Sequence, residues 1–338
     1  MAGAVVTTRR GALLAAGGAA AALAAPAAVA QTAAGGAGWT PSRPITIAVP
    51  FTAGGPTDAI GRLVAEAMAR DLGSAVVVEN VTGAGGTLAA ARVAQARPDG
   101  HSLLIHHIGH ATTATLYRRL PYSVTDSFEP LGLVSDAAMT IVARPDFPAA
   151  DLAGVVAEMR RRRDALNLGH SGLGGANQLC GMLLMQAAGA PLTTIVFRGS
   201  APAITELMAG RLDVFCDQAT NTVPFIRDDR IKAYAVSTAQ RVPGLDLPTA
   251  QEAGLPGFEM STWHGLYAPR GTPPEAVERL SAAIRAAMRD ERLRARFAEL
   301  QTLTATDEQA TPAHHRRHLA AEVARWRVAI QAAGEYAD

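Results

Sequence analysis

The feature that most constrains the fold of this chain is an alternation of short apolar strands with amphipathic helices. A strand is predicted at 45–49, and the helix after it places Ile60, Val64 and Met68 on one face. Alternation of this kind pairs strands in parallel and covers the sheet with helices. The rhythm restarts near residue 166, so we predict two sheets built one after the other. The predicted strands are 45–49, 76–78, 102–105, 166–168, 194–196, 212–216 and 231–236.

The first 30 residues have the layout of an export signal. Arg9 and Arg10 are followed by a run of Ala, Leu and Gly and then by 28–30, an Ala-Val-Ala cleavage site. The paired arginines leave the twin-arginine and Sec routes open. The alternative is a retained membrane anchor, but the segment is poor in large apolar residues, whereas a spanning helix needs about 20 strongly apolar ones. We therefore predict a periplasmic protein from which the signal, residues 1–30, is removed.

The composition argues against nucleic acid as a partner. The chain has 31 Lys and Arg against 30 Asp and Glu, and aromatic residues make up 5% of it. A near-neutral balance with few aromatics does not provide the basic surface that nucleic acids require. The dense basic run at 160–163 is interpreted as the solvated end of a helix.

Three glycine-rich stretches lie where a strand is predicted to pass into a helix. They are Ala53–Asp58, Gly83–Gly86 and Gly172–Gly175. Such junctions let the backbone approach a ligand and present free N–H groups to an anion. Dinucleotide binding is the competing interpretation, but Leu88 and Asn177 occupy the positions where its motif needs the last glycine. We expect anion binding without a nucleotide and predict no cofactor.

The sequence also contains a serine motif and two histidine clusters that bear on catalysis and metal binding. Ser171 lies in a Gly-His-Ser-Gly-Leu run that resembles a nucleophile elbow, but Leu173 replaces the glycine that the elbow needs. An exported serine hydrolase therefore stays only as a remote alternative. Two histidine clusters lack the accompanying ligands of a metal site, so the first is predicted in a loop, the second on a solvated helix, and neither as a metal centre. The clusters are His106, His107 and His110, and His314 with His318.

Several sequence blocks occur in a fixed order along the chain. They are Pro44–Asp58, Val78–Asn80 with Gly83–Gly86, Pro98–Gly100, Phe197–Ala203, Gly210–Asp213 and Trp263–Pro269. In these blocks, over essentially the whole mature chain, the sequence resembles the Bug family of solute receptors for tripartite tricarboxylate transporters. The resemblance implies an exported receptor that captures a small organic carboxylate and delivers it to integral-membrane transporter subunits. It also implies a monomer and no enzymatic activity.

The resemblance further implies an α/β, two-lobed periplasmic-binding-protein fold of the Venus-flytrap type. Each lobe would be a mixed, largely parallel sheet flanked by helices, with 41–137 plus 265–338 in lobe 1 and 138–264 in lobe 2. Members of the family clamp a ligand carboxylate with backbone amides from two loops, which correspond here to 51–58 and 172–178. The ligand-binding residues that follow are Phe51, Ala53, Gly54, Gly55, Thr57 and Asp58 in the first loop and Gly172, Gly174, Gly175, Ala176, Asn177 and Gln178 in the second.

The chain departs from the family pattern at two positions. Gln178 replaces a common histidine, and Leu168 replaces a common aromatic residue. Glutamine can form hydrogen bonds but cannot become cationic. The identity of the carboxylate is therefore open, and so is the alternative that the receptor presents its ligand to a membrane sensor.

Two further expectations concern single residues in the predicted second lobe. Asp217 follows a strand predicted to end at residue 216, where ligands of parallel sheets bind, so we expect it to contact the ligand or a bridging water. In the first loop, Asp58 has an alternative structural role as a helix cap. Cys180 and Cys216 are the only cysteines, and an oxidising compartment would favour a disulfide between them. Two buried, reduced thiols are the alternative.

Overall fold

The computed structural model describes residues 38–334, without the side chain of Ala333. The predicted signal segment lies outside these residues. The strands are β1 (Ile45–Val49), β2 (Val76–Asn80), β3 (Ser102–His107), β4 (Phe128–Ala143), β5 (Asn167–His170), β6 (Thr193–Val196), β7 (Val214–Gln218), β8 (Lys232–Val236), β9 (Ser261–Pro269) and β10 (Thr302–Thr304). The α-helices are α1 (Pro56–Leu72), α2 (Thr87–Ala94), α3 (Gly109–Leu116), α4 (Leu152–Arg162), α5 (Ala176–Ala188), α6 (Ser200–Met208), α7 (Ala219–Arg227), α8 (Pro274–Arg289), α9 (Glu291–Glu299) and α10 (Pro312–Ala333).

The strands form two groups that share the long strand β4. In the first group β2, β1 and β3 are parallel, and β9 pairs antiparallel with both β3 and β4. In the second group β6, β5 and β7 are parallel, and β4 pairs antiparallel with β7 and β8. The mixed character predicted for the sheets is therefore confirmed. Each parallel unit has three strands, and the antiparallel pairs come from the return strands β4 and β9.

Strand β4 changes its partners in the middle of its 16 residues. Residues 128–138 pair with β9, whereas 139–143 pair with β7. A single continuous strand therefore runs through both groups. The predicted boundaries between the lobes, at residues 138 and 264, stay predictions.

Local sequence signals explain why α1 forms where it does. The helix starts with Pro56, whose missing N–H and fixed φ suit the first helical position. It ends at Gly73, whose φ of 63° gives the left-handed turn that stops a helix at low steric cost. Ile60, Val64 and Met68 are fully buried, which confirms the apolar face predicted for this helix. The first turn of α1 is therefore separated from the end of β1 only by the short segment 50–55.

The prediction that the first histidine cluster lies in a loop is wrong. His106 and His107 lie in β3, His110 lies in α3, and all three are at most 2% exposed. The strand continues through His107, which pairs with His264 of β9, so these side chains lie in the core. His314 and His318 are on α10 and are partly exposed. Within residues 38–334, no helix combines the length and the apolar content needed to span a membrane.

Candidate ligand-binding cleft

Four helices begin around one small cavity of about 10 Å³, which we call the inner cavity. Its lining includes the first residues of α1, α5 and α6 and the residue just before α7. None of the four helix starts has a side-chain hydrogen bond that caps it. The first-turn N–H groups of a helix have no intrahelical acceptor and carry the positive end of the dipole. The inner cavity is therefore suited to an anion. The residues at these starts are Pro56, Thr57, Ala176, Asn177, Ser200 and Gln218.

A chain of hydrogen bonds links the polar side chains of the inner cavity. The hydroxyl of Ser171 donates to Asn177 Oδ1 (2.8 Å), and Asn177 Nδ2 donates to Ser200 Oγ (3.2 Å). Ser200 Oγ in turn donates to Asp217 Oδ1 (3.0 Å), while Asn221 Nδ2 donates to Asp217 Oδ2 (2.7 Å). Burial raises the pKa of Asp217 to about 6, although the hydrogen bonds from Asn221 and Ser200 oppose this shift. The inner cavity thus contains one carboxyl group that titrates near neutral pH.

The first loop is held in shape by Asp58. This carboxylate accepts hydrogen bonds from the amide of Gly54 (2.9 Å), from Arg62 Nε (2.9 Å) and from Asn80 Nδ2 (2.8 Å). Burial works to raise the pKa of Asp58, but the hydrogen bonds from Arg62, Gly54 and Asn80 outweigh it, and the pKa is lowered. Asp58 lies in the first turn of α1 rather than at its cap, which is Gly55. Its partners are groups of the protein, so its position favours the structural role.

The second loop depends on backbone conformations that favour glycine. Gly172 and Gly174 have φ values of 100° and 84°, which ordinary residues rarely adopt. The amide of Gly174 donates to Gln178 Oε1 (3.2 Å), and the amide of Gly172 donates to His170 Nδ1 (3.2 Å). The position where Gln178 replaces the family's histidine therefore braces the loop from the first turn of α5.

Phe51 of the first loop and Gly172 and Leu173 of the second all line a wider outer cavity of about 500 Å³. Tyr117, just after α3, donates its hydroxyl to the backbone oxygen of Leu173 in the second loop (3.1 Å). Gly85 contacts the same oxygen so closely that a β-carbon there would lie 2.0 Å from it. These contacts join segments that belong to the two strand groups. The outer cavity is lined by Pro50, Phe51, 82–86, Tyr117, 171–173 and 196–198.

The predicted ligand-binding residues fall into two sets. One set lines the inner or the outer cavity, namely Phe51, Gly55, Thr57, Gly172, Ala176, Asn177 and Asp217. The other set is not among the residues that line these cavities and consists of Ala53, Gly54, Asp58, Gly174, Gly175 and Gln178. Sequence reasoning did not select several lining residues, namely His107, Tyr117, Ser171, Phe197, Arg198, Ser200 and Gln218. Three of these residues, Phe197, Arg198 and Ser200, lie in the sequence block 197–203 that resembles the family, and this block is the sequence feature that points to them.

Two buried histidines, His107 and His264, contact side chains of the first loop. His264 Nε2 lies 3.2 Å from Thr57 Oγ1, and His264 Nδ1 lies 3.1 Å from Ser135 Oγ. Burial lowers the pKa of His264 to about 3, so the ring is neutral in the folded protein. The ring of His107 stacks on Phe51 with 4.7 Å between centroids. Both histidines therefore fix side chains that line the inner cavity.

The two cysteines lie close together as free thiols. Cys180 of α5 and Cys216 of β7 are both buried, and no disulfide joins them. The neighbouring Cys216 thiol and burial raise the pKa of Cys180 well above its usual value. This arrangement corresponds to the alternative of two buried, reduced thiols. Pairing in an oxidising compartment stays a prediction.

Neither a metal site nor a catalytic serine is supported by the geometry. In the part of the chain that the structure describes, no group of three or more His, Cys, Asp or Glu side chains could hold a metal ion. The Ser171 hydroxyl donates to the amide oxygen of Asn177, which is not a general base. The chemistry that the cleft can perform is the binding of an anion through backbone amides, hydroxyls and carboxamides.

Comparison with known proteins gives a consistent result. The sequence profile described as "Tripartite tricarboxylate transporter family receptor" matches residues 60–334. A UPF0065 protein from the TAR-I ttuE-ttuC' intergenic region of Agrobacterium vitis is 44% identical over 87% of this chain and 86% of its own length.

Two solved structures are also similar to this chain. The periplasmic binding protein BugD is 41% identical, with a TM-score of 0.85 over 88% of this chain and 99% of its own. MatC from Rhodopseudomonas palustris, solved with bound malate, is 39% identical, with a TM-score of 0.83 over 86% of this chain and 99% of its own. These likenesses confirm the two-lobed periplasmic-binding-protein fold.

Proposed function

We propose a function from one premise: this chain belongs to the tripartite tricarboxylate transporter receptor family. The family consists of solute-binding receptors and not of enzymes, so the chain is a solute-binding protein. Its ligand is a small organic carboxylate held between the two lobes. The protein works in the periplasm and hands the carboxylate to the integral-membrane subunits of a tripartite transporter.

The observation that carries the proposal is the meeting of four uncapped helix starts at the inner cavity. No Lys or Arg is among the residues that line this cavity. Its positive potential therefore comes from backbone N–H groups and helix dipoles, which suit a carboxylate. The bound malate of MatC is a carboxylate of this class.

Carboxylate recognition takes place where the two loops face each other. Thr57 and Asn177 lie in the first turns of α1 and α5, so their amides can approach one carboxylate from opposite sides. The hydroxyls of Ser171 and Ser200 add polar groups at the same cavity. A ligand held from both sides favours the closed arrangement of the lobes, because it gains contacts in that state alone.

The proposal is tested by thermal shift and calorimetry on the mature protein. A panel of mono-, di- and tricarboxylic acids is screened against sugars and amines of similar size. A binder at a hundredfold excess over its dissociation constant stabilises the folded state by about 2.7 kcal/mol. We expect one or more acids, and neither sugars nor amines, to raise the unfolding temperature. A protein stabilised by sugars or amines and by no acid would contradict the proposal.

In the alternative function, the receptor presents its ligand to a membrane sensor. It would use the same cavity but would bind a different membrane partner. Pull-down of the membrane subunits of a tripartite transporter by the acid-loaded protein would support transport. Capture of a sensor kinase, without transporter subunits, would support ligand presentation instead.

A further inference from the structure

The charges of the cleft are distributed unevenly. The inner cavity contains the buried carboxyl of Asp217 and no cationic side chain among its lining residues. One cation, Arg198, is present among the residues lining the outer cavity. A ligand whose single carboxylate binds at the helix starts would have no second anionic group to contact this guanidinium. A ligand that extends from the inner to the outer cavity would bring its far end to Arg198.

Arg198 is also unpaired. It lies between β6 and α6, it is exposed, and no ion pair or hydrogen bond of its side chain is found within residues 38–334. Most arginines of the described chain behave differently: Arg62, for example, pairs with Asp58 at 2.9 Å. A guanidinium that faces a cavity without a protein partner retains its capacity for a bidentate contact with a carboxylate.

Part of the lining of the outer cavity is apolar. Phe51, Leu173 and Phe197 line it together with Val196, which is 65% exposed. An exposed large apolar side chain next to a cation fits a ligand with a hydrocarbon segment and a charged end. The volume of about 500 Å³ is within the range of small-molecule sites. The space therefore suits a carbon chain that leads from one carboxylate to another.

We infer that Arg198 binds a second carboxylate of the ligand and thereby makes this receptor selective for acids with two anionic ends and an apolar spacer. The inference rests on the proposed function, because the first carboxylate is placed at the helix starts of the inner cavity. Arg198 acts as the specificity-determining residue. The backbone amides provide affinity for any carboxylate, and the guanidinium increases the affinity for diacids relative to monoacids.

The test is calorimetric titration of the mature protein with acids matched in carbon number: succinate with butyrate, glutarate with valerate, and adipate with hexanoate. The wild-type protein is expected to bind at least one diacid more tightly than its monoacid. In Arg198→Gln this preference is expected to fall by roughly five- to tenfold, since a partly exposed ion pair contributes about 1 kcal/mol. Monoacid affinity should change less than threefold. The chain length with the largest preference then measures the span between the two anion sites.

Arg294→Gln is the matched control. Arg294 is an exposed arginine of α9 that does not line the cleft, so this variant removes the same charge elsewhere. It should keep the diacid preference, and Arg198→Lys should keep part of it. Because Arg198 is exposed, both glutamine variants should unfold at the wild-type temperature.

Two results would overturn the inference while leaving the proposed function intact. One is an Arg198→Gln protein that prefers diacids as strongly as wild type. The other is an equal loss of preference in Arg294→Gln, which would show a long-range charge effect. Wild-type protein that binds no carboxylate would overturn the proposed function and this inference together.

Discussion

His315, a buried residue of α10, provides a sharp test of the electrostatics of the core. Its side chain is fully buried against Trp263 and Tyr267, and neither ring nitrogen has a hydrogen-bond partner in the described part of the chain. Burial holds the pKa of His315 well below its usual value, and nearby His318 adds to the shift. The ring is therefore neutral in the folded protein. In the unfolded chain it takes up a proton below about pH 6.5.

The sign of the effect follows from this difference. A histidine with a depressed folded-state pKa contributes stability above pH 6.5, which is lost as the pH falls toward that lower pKa. By pH 5 the loss is about 2 kcal/mol for each such residue. Five histidines that are fully or almost fully buried share this lowered pKa, so acidification should weaken the fold at several points of the core at once. They are His106, His107, His110, His264 and His315.

Replacing His315 with leucine removes one of these titrations. At pH 7.5 the His315→Leu protein should be as stable as wild type or more so, because no hydrogen bond is lost. Between pH 7.5 and pH 5 it should lose about 2 kcal/mol less than wild type in the free energy of unfolding. Asp217, whose pKa is raised to about 6, acts with the opposite sign, but its effect is common to both proteins.

The assay is urea unfolding followed by tryptophan fluorescence at pH 7.5, 6.5, 5.5 and 5.0. The control is Ile330→Val, a fully buried apolar change on the same helix that should lower stability by about 1 kcal/mol at every pH. If His315→Leu loses as much stability on acidification as wild type does, the buried-histidine argument is wrong.

Three other outcomes are expected. Gly85→Ala should weaken ligand binding at least tenfold, because its β-carbon would lie 2.0 Å from a backbone oxygen across the cleft, whereas Gly73→Ala, with a similar φ and open space around it, should bind normally. Affinity for a monoacid should rise by roughly tenfold or less as the pH falls from 7.5 to 6, because about half of the Asp217 carboxyl groups become protonated at pH 6. Calorimetry on Asp217→Asn should find no such rise. Thiol titration of denatured, unreduced protein from the periplasm decides the state of Cys180 and Cys216: no reactive thiols are expected if they are bridged, and two would rule the bridge out.

Short-range patterns made the first strand and helix predictable. The apolar stripe of α1 and its limits at Pro56 and Gly73 are local signals, and the helix lies within them. Strand β4 was not predicted, although it is the longest in the described chain, because Pro130 and Gly132 interrupt its pattern. Its partners, β7 and β9, are distant in sequence, so its pairing is set by tertiary contacts.

The cleft could be predicted only where local sequence patterns form it. Thr57 and Asn177 follow glycine-rich turns, and such turns are visible in the sequence. Arg198, Ser200 and Tyr117 reach the cleft because segments distant in the sequence fold to the same place. The burial of the histidines could not be predicted either, since a histidine that follows a strand has no sequence pattern that separates a core position from a loop.

A crystal structure of the mature protein with its tightest-binding acid tests the central claim most directly. We expect one ligand carboxylate in the inner cavity, with its oxygens within hydrogen-bonding distance of the amides of Thr57 and Asn177 and without a cationic side chain as a partner. A carboxylate that lies outside the inner cavity, or that is held there by side chains while both amides remain unbound, would contradict the account.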